Sequence, residues 1–179
     1  MLDTCSVLVI DDEEIMREVL DALLVRERYS VALAVSGDEG LELVRTRTFD
    51  AVILDLMMPG MDGMQTLEEL KKIDEDLPVI MITAFGSVEN VKVAMKRGAF
   101  DYIEKPFKND EVMVVLRNAT ERRRLVAENR ALRHNLQARG HDFQDIVGRS
   151  RRMQQVFDLV SQAAPSRTTI LIEGESGTG

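Results

Sequence analysis

Five side chains able to handle a phosphoryl group each fall at the carboxyl end of an apolar run. Asp11 and Asp12 follow S-V-L-V-I, Asp55 ends A-V-I-L-D, Thr83 ends P-V-I-M-I-T, and Lys105 ends F-D-Y-I-E-K just before Pro106. In an open parallel sheet, ligands bind beyond the carboxyl ends of the strands, where strand order reverses. Three carboxylates, a hydroxyl and an ammonium converging there would make a cation-assisted phosphoryl site. Two like charges ~4 Å apart repel by ~1 kcal/mol in water and ~4 kcal/mol at a surface-like effective dielectric. The carboxylate cluster therefore calls for a divalent cation, and all-oxygen ligation with few protein groups suits Mg²⁺. One carboxylate can serve as nucleophile, because an aspartyl phosphate is established covalent chemistry. Asp55 is the best candidate, standing alone opposite the Asp11 and Asp12 pair. Lys105 would then neutralise phosphoryl oxygens, and Thr83 would donate a hydrogen bond to one.

Taken singly, each residue has a plainer use. Asp12 can cap the first helix, with Glu13 and Glu14 favoured by its dipole. Thr83 can be an ordinary β-branched strand residue, and Lys105 a snorkelling surface lysine. The joint placement favours the site.

The elements that would position these groups alternate regularly. Apolar runs at 6–10, 31–35, 51–55, 78–82 and 100–104 suit strands buried on both faces of a parallel sheet. Between them lie helix-period stripes: Ile15, Val19, Ala22 and Leu23; Leu41 and Val44; Met64, Leu67 and Leu70; Val88, Val91 and Ala94. Ser36 and Glu39 have capping-box spacing, and Ser87 can cap the fourth helix. The pattern predicts an α/β fold, a doubly wound five-stranded parallel sheet with helices on both faces.

The fifth helix begins near Lys108 and meets neither Gly nor Pro before Arg139; Gly140 is expected to break it. Val112, Val115, Leu116 and Ala119 face the sheet. Beyond them Leu125, Asn129, Leu132 and Leu136 form an a/d seam with asparagine at an a position, which predicts a homodimer. A helix from Ser150 to Ala163 and a strand at 168–172 follow. The chain ends on Gly174, Glu175, Ser176, Gly177, Thr178 and Gly179, the first half of the phosphate-loop pattern G-x-x-x-x-G-K-[ST]. A glycine-rich tail is also a flexible terminus, and half a motif says little by itself.

Charge divides the chain. Residues 1–120 carry 13 basic and 24 acidic side chains, and residues 121–179 carry 10 and 7, the ten all arginine. A boundary near 120 follows, giving a domain at 1–120, a helical coiled-coil linker at 121–140 and a further segment at 141–179. The net charge of −8 argues against a nucleic-acid surface over the whole chain. Cys5 is the only cysteine, which excludes a disulfide framework. With neither signal peptide nor membrane-length apolar run, a cytoplasmic protein with no membrane partner is expected.

The motifs V-L-V-I-D-D, L-D-L-M-M-P-G-M-D-G, I-T-A and Y-I-E-K-P-F give residues 1–120 a strong resemblance to the receiver domain of two-component response regulators. That resemblance implies that Asp55 accepts a phosphoryl group from a sensor histidine kinase. It implies that Asp11, Asp12 and Asp55 hold Mg²⁺ together with the Met57 backbone carbonyl, and that Thr83 and Lys105 contact the phosphoryl group. Tyr102 matches the switch aromatic, and the bond from Lys105 to Pro106 is expected to be cis. Met57 and Phe85 would flank the approach of a hydrolysing water; both are apolar, which predicts a long-lived phosphoryl group.

D-I-V-G-R-S-R-R-M-Q-Q-V followed by I-L-I-E-G-E-S-G-T-G resembles the opening of the AAA+ ATPase domain of sigma-54-dependent enhancer-binding activators. ATP, sigma-54 RNA polymerase and DNA would be engaged only through segments beyond Gly179. The chain is therefore expected to be a phosphoacceptor regulator rather than an enzyme. Three other classes fit less well. A haloacid-dehalogenase-type phosphatase carries D-x-D after its first strand, where Asp11 and Asp12 are adjacent. An FMN binder needs a Thr/Ser/Gly-rich loop where this chain has D-D-E-E. An autonomous P-loop ATPase needs the lysine.

Overall fold

The computed structural model describes residues 5–84, 88–141, 150–163 and 171. Two compact units divide the chain, Met1–Arg130 and Ala131–Gly179. The first holds a parallel sheet built from β1 (Ser6–Ile10), β2 (Ser30–Ala34), β3 (Ala51–Asp55), β4 (Val79–Thr83) and β5 (Asp101–Glu104). Their spatial order is β2-β1-β3-β4-β5. The reversal of direction falls between β1 and β3, with Ile10 in register with Leu54. Asp11 and Asp55 thus emerge side by side at the switch point.

Alternate side chains of each strand enter two separate cores, as a pleated sheet requires. Leu8, Ile10, Val52 and Leu54 pack with Leu41, Leu67, Leu70 and Ala94. These come from α2 (Gly37–Thr46), α3 (Gly63–Ile73) and α4 (Val88–Lys96). Val7, Val9, Ala51 and Ile53 pack with Leu20, Leu23, Leu24, Val112 and Leu116 on the other face. Those residues lie on α1 (Glu14–Arg26) and α5 (Asn109–His141). The doubly wound α/β architecture is the one expected.

Local signals match in most places. The Ser36 hydroxyl accepts from the Glu39 N–H at 3.3 Å, and the Glu39 carboxylate returns a bond from the Val35 N–H at 2.8 Å. Asp62 caps α3 by accepting from the Gln65 N–H. The stripe of α1 differs from expectation. Leu20, Leu23 and Leu24 are buried and Met16 packs beside them, while Ile15 is 75% exposed and Val19 is also exposed. Gly140 does not break α5, which runs 33 residues to His141. At ~1.5 Å per residue it is about 50 Å long.

In the second unit α6 spans Arg151–Ala163. The Ser150 hydroxyl accepts from the Met153 N–H at its start. Ser87, the expected strand at 168–172 and the glycine-rich residues 174–179 lie outside the described residues.

Candidate phosphoacceptor site

The β1 and β3 ends bring three carboxylates together. Ligand oxygens of Asp11, Asp12 and Asp55 all lie within 4.8 Å of one another. Asp11 and Asp55 are buried, whereas Asp12 is exposed. Lys105 enters from the end of β5. Its Nζ donates to Asp11 Oδ2 at 3.0 Å, stands 3.4 Å from Asp55 Oδ2, and reaches Glu13 Oε1 at 3.9 Å. The peptide bond from Lys105 to Pro106 is cis, as expected.

The loop carrying the acid pair is held by two further contacts. Asp11 Oδ1 accepts from the Glu13 N–H at 2.8 Å, and Arg17 Nη1 donates to the Asp11 carbonyl at 2.7 Å. Neither Glu13 nor Arg17 belongs to the site expected from the sequence. A positive residue one turn into the helix after an acidic pair was the available signal.

Asp55 Oδ1 is buried and has no hydrogen-bond partner among the described residues. A buried carboxylate oxygen left unpaired is costly. Burial pushes the Asp55 pKa up; Lys105 pulls it back, and the Asp11 charge raises it further. Burial opposes the Lys105 ammonium, yet the hydrogen bond and charge of Asp11, with Asp55 behind, leave its pKa raised. An orphaned oxygen within an all-carboxylate donor set fits a hard divalent cation. The residues present suit Mg²⁺.

Thr83 is fully buried at the end of β4, and its carbonyl accepts from the Lys105 N–H at 2.8 Å. Tyr102 sits on β5 in register with Met81. Its ring is half-buried, and its hydroxyl is enclosed without a hydrogen-bond partner among the described residues. Met57 is 58% exposed on the loop after β3. Phe85 lies outside the described residues. On α5, Leu125 is 53% and Leu132 63% exposed, and Asn129 is exposed as well. The Leu136 side chain falls outside the described set.

One residue inside a quoted motif had no role assigned from sequence. Gly63 opens α3, and its N–H donates to the Leu56 carbonyl at 3.0 Å. A Cβ there would stand 2.2 Å from the Asp55 carbonyl oxygen and 2.7 Å from Leu56 Cα. Only glycine lets α3 start this close to the acceptor strand.

Fold and site together define a class: a flavodoxin-like α/β domain with an acidic cluster at its strand-order reversal. Residues 7–117 match the response regulator receiver domain family, and the chain belongs to that family. Residues 146–179 match the sigma-54 interaction domain. The transcriptional regulatory protein ZraR of Escherichia coli O157:H7 is 39% identical over 178 residues, covering 99% of this chain and 39% of ZraR. The C4-dicarboxylate transport transcriptional regulatory protein DctD of Pseudomonas aeruginosa is 38% identical, over 97% of this chain and 38% of its own length. Among solved structures, NtrX from Brucella abortus in complex with ADP superposes with a TM-score of 0.69 at 33% identity. The overlap covers 91% of this chain and 35% of that one. The isolated receiver domain of that NtrX gives 0.62 at 38% identity, over 64% of this chain and 98% of its own. The chain spans roughly two-fifths of the length of the curated relatives it matches. It is a two-component response regulator receiver followed by part of a sigma-54 interaction domain.

Proposed function

We propose that Asp55 is the phosphoacceptor of this receiver and that a sensor histidine kinase is the donor. One observation carries the reading: a buried carboxylate oxygen without a partner, set between two further carboxylates and a lysine. An Asp55 oxygen attacks phosphorus, the P–N bond of the donor phosphohistidine breaks, and the imidazole leaves with the bonding pair. Lys105 meets the charge on the phosphoryl oxygens, and the Thr83 hydroxyl donates to one of them. Asp11, Asp12, Asp55 and the Met57 carbonyl would hold Mg²⁺, which when bound supplies charge neutralisation across the carboxylates and the incoming group. Arg17 and Glu13 keep the Asp11 loop in place.

Tyr102 is the proposed reporter of occupancy. A tyrosine hydroxyl enclosed without a partner has little to hold it, so a small change at Thr83 can shift it. Output passes from the receiver at 1–120, through the linker at 121–140, to the segment at 141–179. The exposed Leu125, Asn129 and Leu132 support a homodimer through the linker, with Leu136 extending the seam. Residues 174–179 would belong to an ATP-binding loop of a longer protein that meets sigma-54 RNA polymerase and DNA. In this chain the receiver acts as a phosphoacceptor regulator in the cytoplasm, not as a turnover enzyme. No helix among the described residues is long and apolar enough to cross a membrane.

The test is uptake of phosphoryl from acetyl phosphate, followed by intact mass. Incorporation is expected with Mg²⁺ and expected to vanish in Asp55→Asn. Equal incorporation in that variant would overturn the assignment.

A further inference from the structure

At the amino ends of the strands, opposite the acidic cluster, the loop at 74–78 between α3 and β4 grips the fifth helix. Arg123 Nη2 donates to Asp74 Oδ2 at 2.6 Å, and both side chains are partly buried. Two helical turns on, Arg130 pairs with Asp76. The loop is braced from within. Asp74 Oδ1 accepts from the Asp76 N–H at 3.0 Å, and Lys71 Nζ donates to the carbonyls of Glu75 and Leu77 at 3.1 and 2.7 Å. Arg122 adds a cation–π contact, its guanidinium 5.8 Å from the Phe100 ring centroid.

These contacts occupy one side of the helix. At 3.6 residues per turn, Arg123, half-buried Val126 and Arg130 share a face, Leu125 lies about 160° round the helix from Arg123, and Asn129, seven residues after Arg122, lies on the flank between them. A charged hydrogen bond from a planar guanidinium fixes orientation as well as distance. Two of them seven residues apart oppose rotation about the helix axis. The same α3 abuts the Asp55 backbone through Gly63, so acceptor and loop share one rigid element.

We propose that the loop at 74–78 is a charge clamp that sets the rotational phase of the linker helix and so holds Leu125 of the seam away from the receiver. Its consequence for association rests on the dimer reading above; the clamp itself does not. Because Arg130 is well exposed, most of the hold comes from Arg123 and Asp74.

The experiment has two arms on the full 179-residue chain. Hydrogen exchange by mass spectrometry compares the parent with Asp74→Asn/Asp76→Asn and with Arg123→Gln. Asparagine keeps the acceptor for the Asp76 N–H, and the second variant leaves the loop untouched. Amides at 121–130 are expected to exchange about tenfold faster in both, with β3 unchanged. Unchanged exchange at 121–130 in both variants would overturn the clamp. Sedimentation then measures the dimer constant, expected to weaken about tenfold in the loosened variants. An unaltered constant alongside faster exchange would overturn the link between phase and association. A monomeric parent would contradict the dimer reading alone, and the exchange arm would still decide the clamp.

Discussion

The Lys105 ammonium stands closer to Asp11 than to Asp55, at 3.0 Å against 3.4 Å, and so bridges two buried carboxylates across the switch point. It holds charge that a divalent cation would otherwise neutralise. Replacing it by methionine should tighten Mg²⁺ binding about three- to tenfold, the effect of ~1 kcal/mol of relieved competition. Phosphoryl uptake should slow in the same variant, because the charge on the transferred group loses its partner. Magnesium titration by NMR shifts, alongside the acetyl phosphate reaction, checks both directions. Weaker Mg²⁺ binding would contradict the bridging role.

Asp55 has the buried, unpartnered oxygen and a pKa raised by burial. A carboxyl group whose folded pKa is raised contributes stability below its unfolded pKa and loses it as pH rises through the folded value. At neutral pH its charge therefore opposes folding in the ion-free protein. Asp55→Asn should stabilise the metal-free chain by about 1–2 kcal/mol, seen as a higher thermal midpoint. Adding Mg²⁺ should narrow the gap by stabilising the parent alone. A destabilised variant without metal would contradict this reading.

Gly63 meets the Asp55 carbonyl so closely that no side chain fits. Gly63→Ala must push α3 from the sheet, at a cost of about 1–3 kcal/mol. The loss should appear in denaturant unfolding, together with slower phosphoryl uptake because the acceptor strand end moves. Parent-like stability would show that α3 can yield without cost.

The carboxyl cluster, the strand positions and the doubly wound order were legible because chemistry-bearing residues recur at strand ends and buried strands read as apolar runs. The inward face of α1 was not. Of the expected stripe only Leu23 is buried; Ile15, Val19 and Ala22 share their spacing with Met16, Leu20 and Leu23, and helical period alone cannot say which stripe meets the sheet. Gly63 and the pairing of Arg123 with Asp74 were also illegible. The first is a backbone approach, and the second joins residues 49 apart in sequence. The arginine enrichment after residue 120 does not say that three of those arginines, Arg122, Arg123 and Arg130, reach back to the receiver.

The hydrogen bond from Arg123 holds the Asp74 carboxyl below its usual range, outweighing the effect of burial. A depressed folded pKa gives stability that is present above the unfolded value, near 4, and lost as pH falls through the folded one. Parent and Arg123→Gln should therefore differ in stability at pH 7 and converge as the pH falls below about 4. Thermal unfolding across that range checks the sign. A gap that widens towards acid would contradict the pair.

Leu125 and Leu132 are exposed on the linker helix, as a seam awaiting a second copy would be. Leu132→Asp should shift sedimentation toward monomer at micromolar concentration and leave phosphoryl uptake unchanged. A strictly monomeric parent in both phosphorylation states would contradict the dimer.

In the proposed function, one carboxylate among three carries the phosphoryl group. Borohydride reduces an aspartyl phosphate to homoserine, which tandem mass spectrometry then locates in the sequence. After reaction with acetyl phosphate and Mg²⁺, homoserine is predicted at position 55 and at neither 11 nor 12. Homoserine at 11 or 12, or none at 55 in a chain that has gained phosphate, would contradict the account.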